Sequence, residues 1–464
     1  MLGITNLGEQ ATPNPGPWII STSLDKPDPR TRRHIRSHVM RGRNTRADRR
    51  ARAEAQSQSR PAEASDEGRW RAISDRDWTH IFRKIAPELA LDRYGFEMKP
   101  YMLDLMHQAF TTAKPCIYAV DMKLVNETET RVFDLSDIHT HRATIHSILF
   151  TAQAFQDLSL GQPCGKIAQF HLGKTLHHLQ QSLNDRHGAV AMATIAIVAM
   201  LASAAAVFGD LQTVEKHMDG LYRIFELRGG VESLQHGSLV QHKAQRLDLA
   251  LAMGTNRKPR LFPQDISWEP QIAPPGCTTW CKELEATHPS LDPRLLAVWA
   301  DLKCYSKIAN RAQSGLEVKP DLFLSLSTFV PNRLLHLEYD STSLAELMRL
   351  SMLAYIKGLL FQIPGIGRNM RYLSDKLSLS LQAQQYPPPP EHVRFVFWAL
   401  FISGLSVFES FDQEWHRTAV AKTASTLGVG DWAQAKKSLE SVLWVDRIYD
   451  TGAKTAFEGL NGVT

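Results

Sequence analysis

Cysteine is scarce in this 464-residue chain, with five residues at Cys116, Cys164, Cys277, Cys281 and Cys304. An odd, scattered set offers no disulfide framework. With no secretory leader in view, it reads as a reducing, intracellular chain. Cys277 and Cys281 form the only close pair, and no second pair completes a four-ligand zinc site, so no metal is expected. Enzyme signatures are also missing. There is no P-loop, no G-x-G-x-x-G after a strand, no G-x-S-x-G and no H-E-x-x-H. Pro364-Gly365-Ile366-Gly367 looks like a glycine loop but closes a helix pattern instead of opening one. Neither a catalytic residue nor a cofactor is expected. Compositional bias is absent too: 43% hydrophobic and 22% charged residues, with 27 Gly and 24 Pro, exclude collagen-like, mucin-like and wholly disordered chains. Such a chain can bury a core without disulfide or metal staples.

What is present is a sharply localised charge. The net charge is +5, but residues 25–60 hold twelve Lys or Arg against four acids, so this segment is +8 and everything else is −3. Arg41, Arg43, Arg46, Arg49, Arg50 and Arg52 form its densest part. Guanidinium groups pair bidentately with phosphate, so this run reads as a nucleic-acid contact or a nuclear import signal. It holds no aromatic residue on which a base could stack, which gives single-strand recognition no support. The bland alternative is a solvated tail. Beyond Met40 the arm has no core-forming face, and residues 54–68 have linker composition, so a boundary is placed near residue 70. The division is a basic, disordered or partly helical arm at 1–69 and a helical body at 70–464.

The body shows one helical stripe after another. Met102, Leu105, Met106, Ala109 and Phe110 follow Pro100 at helical spacing. Ile145, Ile148, Leu149, Ala152 and Phe155 make a second stripe, and Leu172, Leu176, Leu179 and Leu183 a third. Asp210 is placed to cap a helix carrying Val214, Met218, Leu221, Tyr222 and Phe225, which stops at Gly229-Gly230. Asp292-Pro293 opens another, and Ser343 to Glu346 is a capping box. Residues 395–402 are eight apolar residues in a row, predicting a helix buried on most sides. A last helix is predicted over 431–449, long connectors over 254–290 and 308–340, and β-like stretches only at 18–22 and 116–125. The fold class is all-α: an array of packed antiparallel helices.

Residues 189–208 carry no charge for twenty positions, enough to cross a bilayer. Nine of them are alanine, and no Lys/Arg cluster or aromatic belt flanks them, so the segment reads as a core helix and no membrane partner is expected. Of the eighteen histidines, His34 and His38 sit among arginines, His141 has Ile145 at i+4, and neighbouring His177 and His178 point apart. A carboxylate beside His146 or His217 in a deep pocket would mark an enzyme or a ligand sensor; dry packing would mark a scaffold.

Four pieces carry a family resemblance: Leu183-Asn184-Asp185; the Ala-rich run ending in Gly209-Asp210; His217-Met218-Asp219-Gly220-Leu221; and Glu226-Leu227-Arg228-Gly229-Gly230. Together they resemble the regulatory domain of fungal-specific transcription factors, in which an apolar Ala/Leu helix is followed by a Gly-Asp turn and a helix ending in Arg-Gly-Gly. The string Pro29-Arg30, Arg32-Arg33, Arg36-Ser37-His38-Val39-Met40 is similar to the N-termini of fungal proteins carrying this domain. The likeness covers about residues 180–235 and, more loosely, 18–50. It implies a nuclear regulator of a fungal gene set or biosynthetic gene cluster. Its implied contacts are DNA through the arm, a protein partner or second copy, or a small-molecule effector. Gly209, Asp210, His217, Gly220, Arg228, Gly229 and Gly230 are implied to be structural, with a close helix crossing at Gly220. DNA-binding members of the family carry six closely spaced cysteines near the N-terminus, whereas residues 1–70 here contain none. The implied regulator therefore lacks the zinc module, and either works through a partner or comes from a truncated gene model. Two rivals remain: a co-regulator without DNA contact, and a helical enzyme of a secondary-metabolite pathway.

Overall fold

The computed structural model describes residues 98–113, 142–230, 233, 239–255, 257–262, 265–274, 290–311, 320–360, 370–408 and 410–461. All of them lie in one compact unit, Ala90–Thr464. The boundary near residue 70, the β-like stretches at 18–22 and 116–125, and Pro364-Gly365 fall outside the described residues.

The described residues are all-α. Their helices are α1 Pro100–Gln108, α2 Arg142–Ser159, α3 Lys166–Leu183, the single turn α4 Arg186–Ala189, α5 Met192–Val207, α6 Leu211–Arg228, α7 Leu239–Thr255 and α8 Pro293–Arg311. There follow α9 Pro320–Leu335, α10 Leu344–Leu360, α11 Arg371–Gln382, α12 Val393–Ser403, α13 Glu414–Leu427, α14 Trp432–Val442 and α15 Asp446–Asn461. Short π-helical turns, Ala109–Ala113 and Gly404–Phe408, extend α1 and α12. No strand occurs among the described residues.

Sequential helices pair, α2 with α3 and α5 with α6, and these pairs stack through α5 on α2 and α7. At the centre lie α10 and α12. Every residue from Glu346 to Leu360 of α10 is buried, and residues 396–403 of α12 are buried on all sides, as eight consecutive apolar positions predict. Each Leu or Phe buried this way contributes about 1.5–3 kcal/mol over leaving it in water. Trp398 is fully enclosed, and its indole Nε1 donates to the Leu443 carbonyl at 2.6 Å, so its polar edge is satisfied.

Polar side chains fix several joints of this core. Asp301 is wholly buried and pairs with Arg333. Its carboxylate also accepts the backbone N–H groups of Gln271, Ile272 and Ala273 at 3.0, 2.7 and 2.8 Å. The connector before α8 is thereby pinned to α8 and α9. Lys303 caps α14 in trans, donating to the carbonyls of Glu440 at 3.1 Å, Ser441 at 2.7 Å and Val442. Burial pushes its ammonium down to about 8, and these carbonyls are the ones a helix end leaves unpaired.

Four expectations change. The region 308–340 is not a long connector: α9 lies inside it, burying Phe323, Leu326, Val330 and Leu334 at spacings of three and four. Pro331 inside that helix disguised it as loop. The single helix predicted over 431–449 is two, broken where Leu443 turns extended at φ −140° and ψ 121°. Leu443, Trp444 and Val445 are all buried in succession, which no single helix face achieves. The leucine stripe of α3 is only a shoulder. Its buried line is Ala168, His171, Thr175 and Leu179, while Leu183 is exposed. The capping box at Ser343 is half made: Ser343 Oγ accepts from the Glu346 N–H at 3.1 Å, but the Glu346 carboxylate is taken by Arg349.

Candidate functional site

The α5–α6 hairpin holds the segment that carries the resemblance. The charge-free run is split, with Ala189 closing α4 and α5 starting at Met192, and no helix among the described residues is long and apolar enough to cross a membrane. Alanine on most sides of α5 lets α2, α6 and α7 approach closely. Gly209 makes the turn at φ +74°, a conformation that costs glycine nothing. Asp210 then caps α6, accepting from the Thr213 N–H at 3.0 Å. At the far end Gly229 sits at φ +98° and Gly230, at φ +100°, donates its N–H to the Phe225 carbonyl at 2.8 Å. Arg228 Nη1 donates to the Val190 carbonyl at 2.5 Å, tying the last turn of α6 to the residues just before α5. The two helices therefore run antiparallel.

Gly220 does not mark a helix crossing. It is exposed, and a Cβ added there would meet nothing within 4 Å. The exposed polar face of α6, with Asp219 and Arg223 on either side, simply continues through it. His217 is half-buried, and burial holds its imidazole below the usual range while the Asp210 carboxylate opposes the shift. His146 is buried, and its Nδ1 lies 2.9 Å from His171 Nδ1 in a hydrogen bond; Tyr101 and His171 share a second at 3.3 Å. Burial, then the neighbouring His171, His178, Lys174 and Arg142, holds His146 down to about 4. These four ionisable neighbours are all basic.

A cavity lies between this hairpin and α7. A pocket of about 250 Å³ is lined by Tyr222 of α6, by Asp248, Leu251 and Ala252 of α7, and by Arg257, Lys258 and Arg260 of the connector that follows. Tyr222 donates its hydroxyl to Asp248 Oδ1 at 2.5 Å, and Asp248 Oδ2 accepts the backbone N–H groups of Arg260 and Leu261 at 2.7 Å each. Burial pushes the Asp248 carboxyl up, against these hydrogen bonds and the Arg260 charge. The Arg260 guanidinium lies 3.9 Å from the Tyr222 ring centre, a cation–π contact. The arrangement clamps a basic turn over a phenol–carboxylate floor.

Of the residues singled out in the sequence, the hairpin holds Gly209, Asp210, His217, Gly220, Arg228, Gly229 and Gly230; Gly209, Asp210, Arg228, Gly229 and Gly230 make its turn, caps and end contact, and Gly220 stands in open space. Arg41, Arg43, Arg46, Arg49, Arg50 and Arg52 lie outside the described residues, as do Cys116, Cys277, Cys281, His34, His38 and His141. Cys304 is half-buried with its Sγ 3.7 Å from the Ile272 carbonyl. Among the described residues no group of three His, Cys, Asp or Glu is placed to hold a metal ion. Sequence reasoning missed Asp248 and the basic turn. The available signals were a lone acid inside the apolar run 247–253 and the string Arg257-Lys258-Pro259-Arg260. Comparison with protein-family models, with curated proteins and with solved structures finds no match.

Proposed function

We propose that the protein is a non-catalytic, nuclear transcription regulator of a fungal gene set or biosynthetic gene cluster. In this reading the arm at residues 25–60 supplies the nucleic-acid or import contact, and the all-α body is a regulatory module. The observation that carries the reading is that motif and cavity share one helix. Helix α6 holds the His217 to Leu221 motif and ends at Arg228-Gly229, and it also supplies Tyr222 to the pocket. The charge division supports it, because a body of −3 has little attraction for phosphate whereas an arm of +8 has much. Residues 1–70 contain no cysteine, so the DNA contact this arm itself supports is salt-sensitive and non-specific, with recruitment by a partner as the other route.

The test is the quadruple variant Arg46→Ala, Arg49→Ala, Arg50→Ala and Arg52→Ala in the full chain. If the six arginines from Arg41 to Arg52 neutralise about six phosphates, the log–log salt slope for duplex DNA is roughly −5, and the variant makes it shallower by about four contacts. If the arm is an import signal, the variant stays in the cytoplasm. A variant that still enters the nucleus with an unchanged salt slope overturns both roles.

A further inference from the structure

The cavity beside Tyr222 carries one lysine, Lys258, that no carboxylate pairs among the described residues. At its floor Asp248 is buried and receives one hydroxyl and two backbone N–H donors. The mouth differs. Arg257 has Glu215 at 3.0 Å. Arg260 has Asp219 at 3.8 Å and Glu226 at 3.7 Å, both beyond the range of a charge-assisted hydrogen bond. Glu226 lies closer to Arg223, at 3.1 Å. Lys258 has no carboxylate within 4 Å among the described residues. Arg257 is thus closely paired, Arg260 loosely paired and Lys258 without a carboxylate, while Leu251 and Ala252 form an apolar wall below them.

We propose that this cavity binds a small organic anion. Its carboxylate or phosphate head lies between Lys258 and Arg260, and a compact apolar body lies against Leu251 and Ala252. At about 250 Å³ the space falls below the roughly 300–1,000 Å³ of drug-sized sites, which restricts the ligand to a small metabolite. Arg260 is the adaptable group. Its backbone N–H is anchored on Asp248 and its guanidinium rests on Tyr222, so the side chain can leave the exposed Asp219 and Glu226 for a bound anion while the turn stays in place. Binding here needs no DNA, so the inference does not rest on the regulatory reading.

The experiment follows thermal unfolding of the full-length protein titrated separately with inorganic phosphate and with hexanoate, against potassium chloride at matched ionic strength. The expected result is a saturable rise in Tm with at least one anion beyond the chloride control, about 3 °C at a hundred times Kd. A rise with hexanoate alone identifies a carboxylate ligand with an apolar body; a rise with phosphate alone identifies a phosphate head. Lys258→Ala with Arg260→Ala removes two exposed side chains and abolishes the rise. The proposal is overturned if neither anion exceeds chloride, or if the rise persists in the double variant.

Discussion

Acid should unfold this protein well above the pH at which carboxylates protonate, because its core stores neutral histidines. His416 is the clearest case. It is fully buried among Phe408, Phe411 and Trp415, with ring centres 5.4, 5.2 and 5.2 Å away. Its Nε2 lies 3.0 Å from the Leu400 carbonyl, so Nε2 carries the proton, and Nδ1 has no hydrogen-bond partner. A second proton would have to sit on Nδ1, facing no acceptor. Burial accordingly pushes this imidazole from 6.5 down to about 4. His146 and His171 are held down to about 4 and His242 to about 3, each with burial as the largest cause. Because the folded pKa is depressed, stability is whole above pH 6.5 and is lost as pH falls toward 4. At pH 5 a single such group costs about 2 kcal/mol by linkage. That is a large fraction of a whole folding free energy of about 5–15 kcal/mol. Urea unfolding at pH 7.5 and pH 5 measures the loss. His416→Gln, which cannot titrate, should shrink the difference by about 2 kcal/mol. A folding free energy that is flat from pH 7.5 to pH 5, or a variant with the wild-type pH dependence, would refute the reasoning.

Other outcomes follow from single contacts. Gly220→Ala should stabilise the protein by about 1 kcal/mol in urea unfolding, since the position is mid-helix, exposed and unobstructed; a destabilised variant would reveal an approach at that face. Ala202→Leu should cost about 1–3 kcal/mol by overpacking the enclosed side of α5, and an unchanged midpoint would contradict the packing. Asp301→Ala should cost about 3–5 kcal/mol, because it strands the buried Arg333 and three backbone N–H groups; a loss under 1 kcal/mol would contradict the pinned connector.

The helices that could be read from the sequence were those whose apolar spacing and end signals agree. Asp210 and Gly229 delimit α6 because a short carboxylate and a glycine at positive φ are what those two ends require. The run over 395–402 needed no periodicity, since apolar residues on every side have to be buried. Where polar residues occupy the seam, pattern misleads. His171 and Thr175 line the buried face of α3 because Tyr101, His146 and the His171 carbonyl satisfy their polar atoms, and the leucines beside them became the visible stripe. The candidate cavity was the least legible part. Its floor joins Tyr222 to Asp248 across 26 positions, and no local spacing rule connects a helix core residue to a lone acid on the next helix. Gly220 failed in another way: a helix-breaking residue suggested a crossing, and the structure puts it in open space.

The regulatory reading is tested most directly by chromatin occupancy of the tagged full-length protein, compared with the same chain carrying the four arginine substitutions. It predicts a nuclear protein that a partner recruits to a discrete set of promoters, with enrichment lost or greatly reduced in the variant. A wild-type protein that stays in the cytoplasm, or that shows no enrichment above an untagged control, would contradict it.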